Sequence, residues 1–170
     1  MDKEYKLKKI FTLIILTIFL LISAVPCFTQ GNGFLDDQTG KKAAISLGAE
    51  WNMNARNTHA GGAVLAFDYS FKNIFAVGIN ATASTNFSGI VVVEPAAFFR
   101  WYFVQRIGFF LQADAGAYLL FENKEMTTIF LGGVRLGLRI RIGETFFLEP
   151  YGRVGYPFMF GIGLMAGVRF

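Results

Sequence analysis

From residue 43 to the end of the chain, apolar and polar positions alternate with a period of two, and no stretch keeps a helical period. The last segment shows it best. Phe158, Phe160, Ile162, Leu164, Ala166, Val168 and Phe170 fall on one face, with Met159, Gly161, Gly163, Met165, Gly167 and Arg169 on the other. The same split recurs over residues 43–52, 62–70, 75–84, 90–103, 109–121, 129–141 and 146–154. The pattern predicts eight strands, each about the 9–11 residues that a tilted strand needs to cross a bilayer, or somewhat longer.

The identity of the two faces decides the class. In a soluble barrel the apolar set points inward and the other set meets water. Here the other set is Gly, Ala, Ser and a few single charges, a poor aqueous surface. Inverted, the pattern works. Small residues leave room in a narrow lumen, and the apolar set, which holds no Asp, Glu, Lys or Arg, faces lipid. The expected fold is therefore all-β, an eight-stranded antiparallel up-and-down transmembrane β-barrel. Threading the strands up and down gathers Tyr69, Phe75, Trp101, Phe103, Phe109, Phe146 and Phe170 at one rim. Trp51, Phe121, Phe130 and Phe158 gather at the other. Two aromatic belts suit the two membrane interfaces. Beyond the N-terminal segment, lysines fall only at Lys41, Lys42, Lys72 and Lys124, in the tail or predicted turns, while the strands use arginine. A planar guanidinium suits desolvated pairing better than an ammonium.

The N-terminus reads as a secretory signal. A basic region ends at Lys9, an apolar run extends from Ile10 to Ile22, and a less regular stretch with Pro26 leads to a cut after Thr29. The apolar run is short for a membrane helix, which takes about 20 residues. The single cysteine, Cys27, is either discarded with the signal or acylated, and Pro26 directly before it favours the first. The expected organisation is a signal peptide over 1–29, a short periplasmic tail over 30–42 and the barrel over 43–170.

Composition agrees. The chain has 170 residues, 54% hydrophobic and 16% charged, with mean hydropathy +0.44. A soluble domain carries about 25% charged residues. The formal charge is +4, but Lys3, Lys6, Lys8 and Lys9 against Asp2 and Glu4 supply two of those charges within the signal. The remaining basic residues are scattered singly, which argues against nucleic acid as a partner.

With these residues in place, the chain resembles the small outer-membrane barrels of the OmpA, OmpX and OmpW type, over about residues 43–170. The resemblance rests on architecture and on the ending Gly167-Val168-Arg169-Phe170. A C-terminal aromatic after alternating apolar residues resembles the signal read by the barrel assembly machinery, and it makes Phe170 the expected assembly signal. The resemblance implies location in the bacterial outer membrane and outer-membrane lipid as the surrounding partner; a monomer is the expected state. The segments assigned to the cell exterior, about 53–61, 85–89, 122–128 and 155–157, are shorter than family members often carry, which tells against an adhesin or receptor role.

No catalytic residue, cofactor or metal site is expected. Barrel enzymes resembling the lipid A acyltransferase or deacylase need a His with a Ser and an acid near the outer rim. The lone histidine, His59, has Ser84, Ser88 and Glu50 as conceivable partners, but no elbow or spacing fixes a triad. No Gly-rich phosphate loop or metal-ligand spacing is present. The candidate site is instead a lumen charge network. Glu50, Asp68, Glu94, Asp114 and Glu149 face Arg100, Arg135, Arg139, Arg141, Arg153 and Arg169. Closing a turn around residues 142–146 sets Arg139 opposite Glu149 and Arg135 opposite Arg153, so that Arg135 and Arg153 need acids from elsewhere, with Glu94 and Asp114 as candidates. Two functions fit: a side-chain-filled barrel with a structural or surface-exposed envelope role, or a narrow channel or carrier for small solutes. An eight-stranded barrel is just wide enough for side chains to fill, which favours the first.

Overall fold

A computed structural model describes residues 40–54, 59–72, 74–86, 90–104, 107–122 and 125–170. The expected signal segment and nearly all of the tail lie outside these residues. The alternating segments form β1 (Ala43–Asn54), β2 (His59–Lys72), β3 (Phe75–Thr85), β4 (Val91–Val104), β5 (Phe109–Glu122), β6 (Glu125–Leu138), β7 (Ile140–Ile142), β8 (Phe146–Tyr156) and β9 (Phe158–Arg169). β6 and β7 are two stretches of one barrel strand, so the barrel has the eight strands that the alternation predicts. Each strand pairs antiparallel with its neighbours in sequence, and β1 pairs with β9 to close the ring. Main-chain hydrogen bonds from Ala43 to Phe170 and back, at 3.1 and 2.9 Å, complete the seam.

The register fixes the tilt. Stepping across paired residues from Ala43 leads through Tyr69, Val77, Phe99, Ala113, Val134, Val154 and Phe160. The path returns to β1 at Met53, ten residues beyond its start. A stagger larger than the strand number puts the tilt in the upper part of the roughly 35–45° range of barrels. At the end holding Ala43 and Phe170, β7 and β8 are joined by a tight turn over residues 143–145. Gly108 and Gly143 sit at this end with φ of 72° and 69°, a backbone region open to glycine and costly for other residues.

Burial is inverted relative to a soluble domain. Leu47, Ile79 and Phe130 are 62, 63 and 68% exposed, whereas Arg100, Arg135 and Arg139 are 1, 2 and 2% exposed. The exterior is an apolar band, and at one end its rings touch in sequence: Phe71 to Phe75, Phe75 to Phe99, Trp101 to Phe103, Phe103 to Phe109.

Inside, large side chains lie across glycines on the adjacent strand. Phe98 faces Gly78, Phe110 faces Gly137, Tyr151 faces Gly163 and Phe147 faces Gly167, each directly opposite in the register. A Cβ at any of these glycines would collide with the facing ring. The glycines thus make space for rings that fold flat against the wall.

Three expectations are corrected. Phe158 is buried inside, not in a lipid-facing belt, because the register shifts between Met53 and Asn54 and turns that ring inward. His59 is the first residue of β2 rather than a loop residue, since β1 and β2 stay paired out to Met53–His59. The strand expected over 129–141 begins earlier, at Glu125, and is parted at Arg139. The break has a chemical cause. Pro150 on β8 has no N–H, and the β8 ladder passes from Gly137–Tyr151 to Ile140–Leu148 across it. Pro95 does the same between β4 and β5, where pairing steps from Val93–Leu119 to Ala96–Gly116.

Replacing Leu47 with arginine puts a guanidinium in the middle of the apolar band. The expected loss is about 2–4 kcal/mol, read by urea unfolding in lipid vesicles. A loss below about 1 kcal/mol would mean that Leu47 does not face the hydrocarbon.

Candidate functional site in the barrel interior

Period two carries the inward positions of every strand into one narrow space, so charges distant in sequence meet there. Arg139, at the β6–β7 break, grips Asp68 with two nitrogens, Nη1 to Oδ1 at 3.1 Å and Nη2 to Oδ2 at 2.6 Å. Its Nε reaches Glu149 Oε1 at 2.8 Å. Arg100 donates from Nη1 to the same Glu149 oxygen at 2.6 Å and from Nε to Gln112 Oε1 at 2.8 Å. Gln112 passes the connection to Asp114 Oδ1 at 2.8 Å. Asp114 Oδ2 accepts from Arg135 Nε at 3.1 Å, and Asn80 bonds to both Asp114 and Arg135 at 2.7 and 3.3 Å.

A second group lies toward the other end. Arg153 pairs with Glu50 Oε1 and Glu94 Oε2, each at 2.7 Å. Asn52 accepts from Arg153 at 3.1 and 3.2 Å and donates to Glu50 at 2.8 Å. Tyr151 donates its hydroxyl to Glu50 Oε2 at 2.7 Å, and its ring lies 5.1 Å from the Arg135 guanidinium, which joins the two groups.

Rings complete the solvation of the guanidiniums. Arg100 lies 4.1 Å from the Phe110 ring centroid, Arg139 4.2 Å from Phe147 and Arg153 3.7 Å from Phe158. A desolvated cation over an aromatic face gains about 2 kcal/mol. The rings over the inward glycines therefore fill the lumen and hold the arginines at once.

The structure brings together nine of the eleven lumen charges named from the sequence: Glu50, Asp68, Glu94, Arg100, Asp114, Arg135, Arg139, Glu149 and Arg153. Arg135 stands opposite Arg153 in the register and draws on Asp114, while Arg153 draws on Glu94 and Glu50. Arg169 and Arg141 lie at the end holding Ala43 and Phe170. Arg169 donates to the Lys41 carbonyl at 2.7 Å, and Arg141 is half-buried on β7. Phe170 is exposed beside the seam. Sequence reasoning missed the roles of Asn52, Asn80, Gln112 and Tyr102, the last of which accepts from Arg100 Nη1 at 3.2 Å through its hydroxyl. All four sit on inward positions, so strand parity was the available signal.

His59 stacks on Trp51, on the outer side of the sheet, with ring centroids 5.1 Å apart. Glu50 points the other way and is committed to Arg153, Tyr151 and Asn52. Ser84 is buried, and Ser88 lies outside the described residues. Among the described residues, no group of three or more His, Cys, Asp or Glu is arranged to hold a metal ion.

Removing the Glu149 carboxylate, as in Glu149→Ala, strands both Arg100 and Arg139. The expected cost is about 3–5 kcal/mol by urea unfolding in vesicles. Combining Arg139→Leu with Glu149→Leu is expected to recover only part of it. Asp68 and Arg100, 4.0 Å apart, are then left with each other. A double-mutant cycle reads the coupling directly, and a value near zero would show that the pair contributes nothing.

No family model and no curated protein matches the chain. Solved structures do. The N-terminal β-barrel domain of Pseudomonas aeruginosa OprF matches at TM-score 0.53 and 11% identity, over 76% of this chain and 99% of that one. Neisserial surface protein A matches at 0.53 and 13%, over 77% and 96%. The outer membrane protein OprG from Pseudomonas aeruginosa matches at 0.53 and 11%, over 76% and 96%. At such identities the likeness is one of fold, and it agrees with the closed antiparallel ring. The chain has the fold of the small eight-stranded outer-membrane β-barrels.

Proposed function

We propose that this chain is a non-enzymatic integral protein of the bacterial outer membrane, a barrel closed by its own side chains that serves in envelope structure or at the cell surface. The observation that carries this reading is the lumen network. Four arginines and five carboxylates cross the interior in direct contact, with rings stacked against them. A solute entering would have to break ion pairs in a low-dielectric space, which costs several kcal/mol for each charge left unpaired. The apolar exterior supports lipid as its surroundings. The protein works as a monomer, and its partners are outer-membrane lipid and, during biogenesis, the assembly machinery.

A second reading, a narrow channel or carrier, is favoured by one observation: a cavity of about 420 Å³ at the barrel end away from Ala43 and Phe170. It reaches inward to Glu94 and Asn52, both held by Arg153. The closed reading therefore has the stronger support. Purified protein in a planar bilayer is expected to show no discrete openings, and openings of stable size would overturn this reading.

Topology follows from the even strand number and an exported start. Both ends of the barrel chain lie in the periplasm, with the turns near residues 73, 105–106 and 143–144. An epitope inserted at residue 124 is expected to be reachable on intact cells and one at residue 73 shielded; the reverse result inverts the topology. Deleting Phe170 is expected to lower the outer-membrane level more than it lowers stability in detergent. Unchanged levels would remove Phe170 as an assembly signal.

A further inference from the structure

The cavity of about 420 Å³ at the barrel end away from Ala43 and Phe170 is the part of the lumen that the network leaves open. Its size falls in the range of small-molecule sites, roughly 300–1,000 Å³. One side of its wall is apolar, from Val92, Leu120, Ile129 and Phe158 with Tyr118 beside them, and Ser84, Thr85, Asn86 and His59 add polar groups around the opening. Its deep end is polar, where Glu94, 2% exposed, meets Asn52. The rim between β3 and β4 is pinned: the Asn86 side chain accepts from the Ile90 amide at 3.2 Å, and Thr85 donates to the Ile90 carbonyl at 3.0 Å. The pocket is thus largely pre-formed on that side.

Charge is unevenly divided along the lumen. Toward the end holding Ala43 and Phe170, Asp68, Asp114 and Glu149 are matched by Arg100, Arg135 and Arg139. At the cavity, Glu50 and Glu94 share Arg153. Two carboxylates thus share one guanidinium at the cavity, and Glu122 adds another acid to the cavity wall. Low-dielectric walls focus that field into the opening. Arg153 offers little to an anion, because two carboxylates and Asn52 take its donors and Phe158 covers its face at 3.7 Å. Among the described residues, no three His, Cys, Asp or Glu are grouped here to hold a bare metal ion.

We propose that this cavity is a binding site for a small organic cation with an apolar body, an alkyl- or aryl-ammonium, whose nitrogen is held at Glu94 and whose body packs on Val92, Leu120 and Ile129. The Tyr118 ring adds a face for the cation. This site goes beyond the closed-barrel reading and does not depend on it, since binding at one end and conduction through the lumen are read separately.

The test uses the full chain refolded in an uncharged detergent, with three probes of nearly equal shape: 2-phenylethylammonium, 2-phenylethanol and phenylacetate, followed by equilibrium dialysis. A charge-assisted contact at Glu94 is expected to make the ammonium bind about tenfold tighter than the alcohol, with phenylacetate weakest. Glu94→Gln is expected to bring the ammonium down to the affinity of the alcohol. Leu120→Trp, which fills the cavity without touching the network, is expected to abolish saturable binding while leaving the unfolding midpoint unchanged. The proposal is overturned if the alcohol or phenylacetate binds as tightly as the ammonium, or if Leu120→Trp binds it undiminished. Should Glu94→Gln fail to fold, the probe series and Leu120→Trp still decide the matter.

Discussion

The seam between β1 and β9 is the contact on which the other features depend. An apolar exterior gives no water to satisfy open backbone groups, so a sheet with this outer face must close on itself. Closure with a ten-residue stagger sets the tilt, and tilt and strand number set the width. That width leaves space for side chains and little else. The hydrogen bonds between Ala43 and Phe170 extend this ladder to the edge of the barrel.

A narrow lumen filled with charge would be unstable without dense pairing, and the structure supplies it in two ways. Carboxylates are shared: Glu149 serves Arg100 and Arg139 through one oxygen. Rings are placed where a flat side chain fits, over the glycines of the next strand, and their faces then meet the guanidiniums. Glycine, aromatic and arginine thus form one repeated unit. Exchanging Gly78, Gly137, Gly163 or Gly167 for a larger residue would displace a ring, and each of those rings lies against a guanidinium.

Two Glu-Pro pairs mark the centres of this arrangement. Glu94 precedes Pro95 and Glu149 precedes Pro150, with each glutamate inside and each proline outside. A residue before proline is held extended, which suits a strand. The missing N–H of the proline opens one step in the neighbouring ladder. The two acids so placed differ in surroundings. Glu149 is enclosed by two arginines, whereas Glu94 shares one and borders the open cavity.

Much of this was legible in the sequence, because strand geometry is local. A period of two assigns each side chain to a face without knowledge of the partner strand, so the eight segments, the apolar exterior and the inward charges could be read from residues 43–170 alone. The turn after Ile142 likewise fixed the β7–β8 register, since a short hairpin leaves few alternatives. The inward turn of Phe158 was not legible, because it follows from a register shift against β1, a strand about a hundred residues earlier. Nor was the pairing within the lumen. Arg139 meets Asp68 across 71 residues and Tyr151 meets Glu50 across 101. Such contacts run across the barrel, not along a ladder, so stagger and width select them. Sequence determined which charges face inward; only the closed tertiary structure decided which of them meet and which one borders open space.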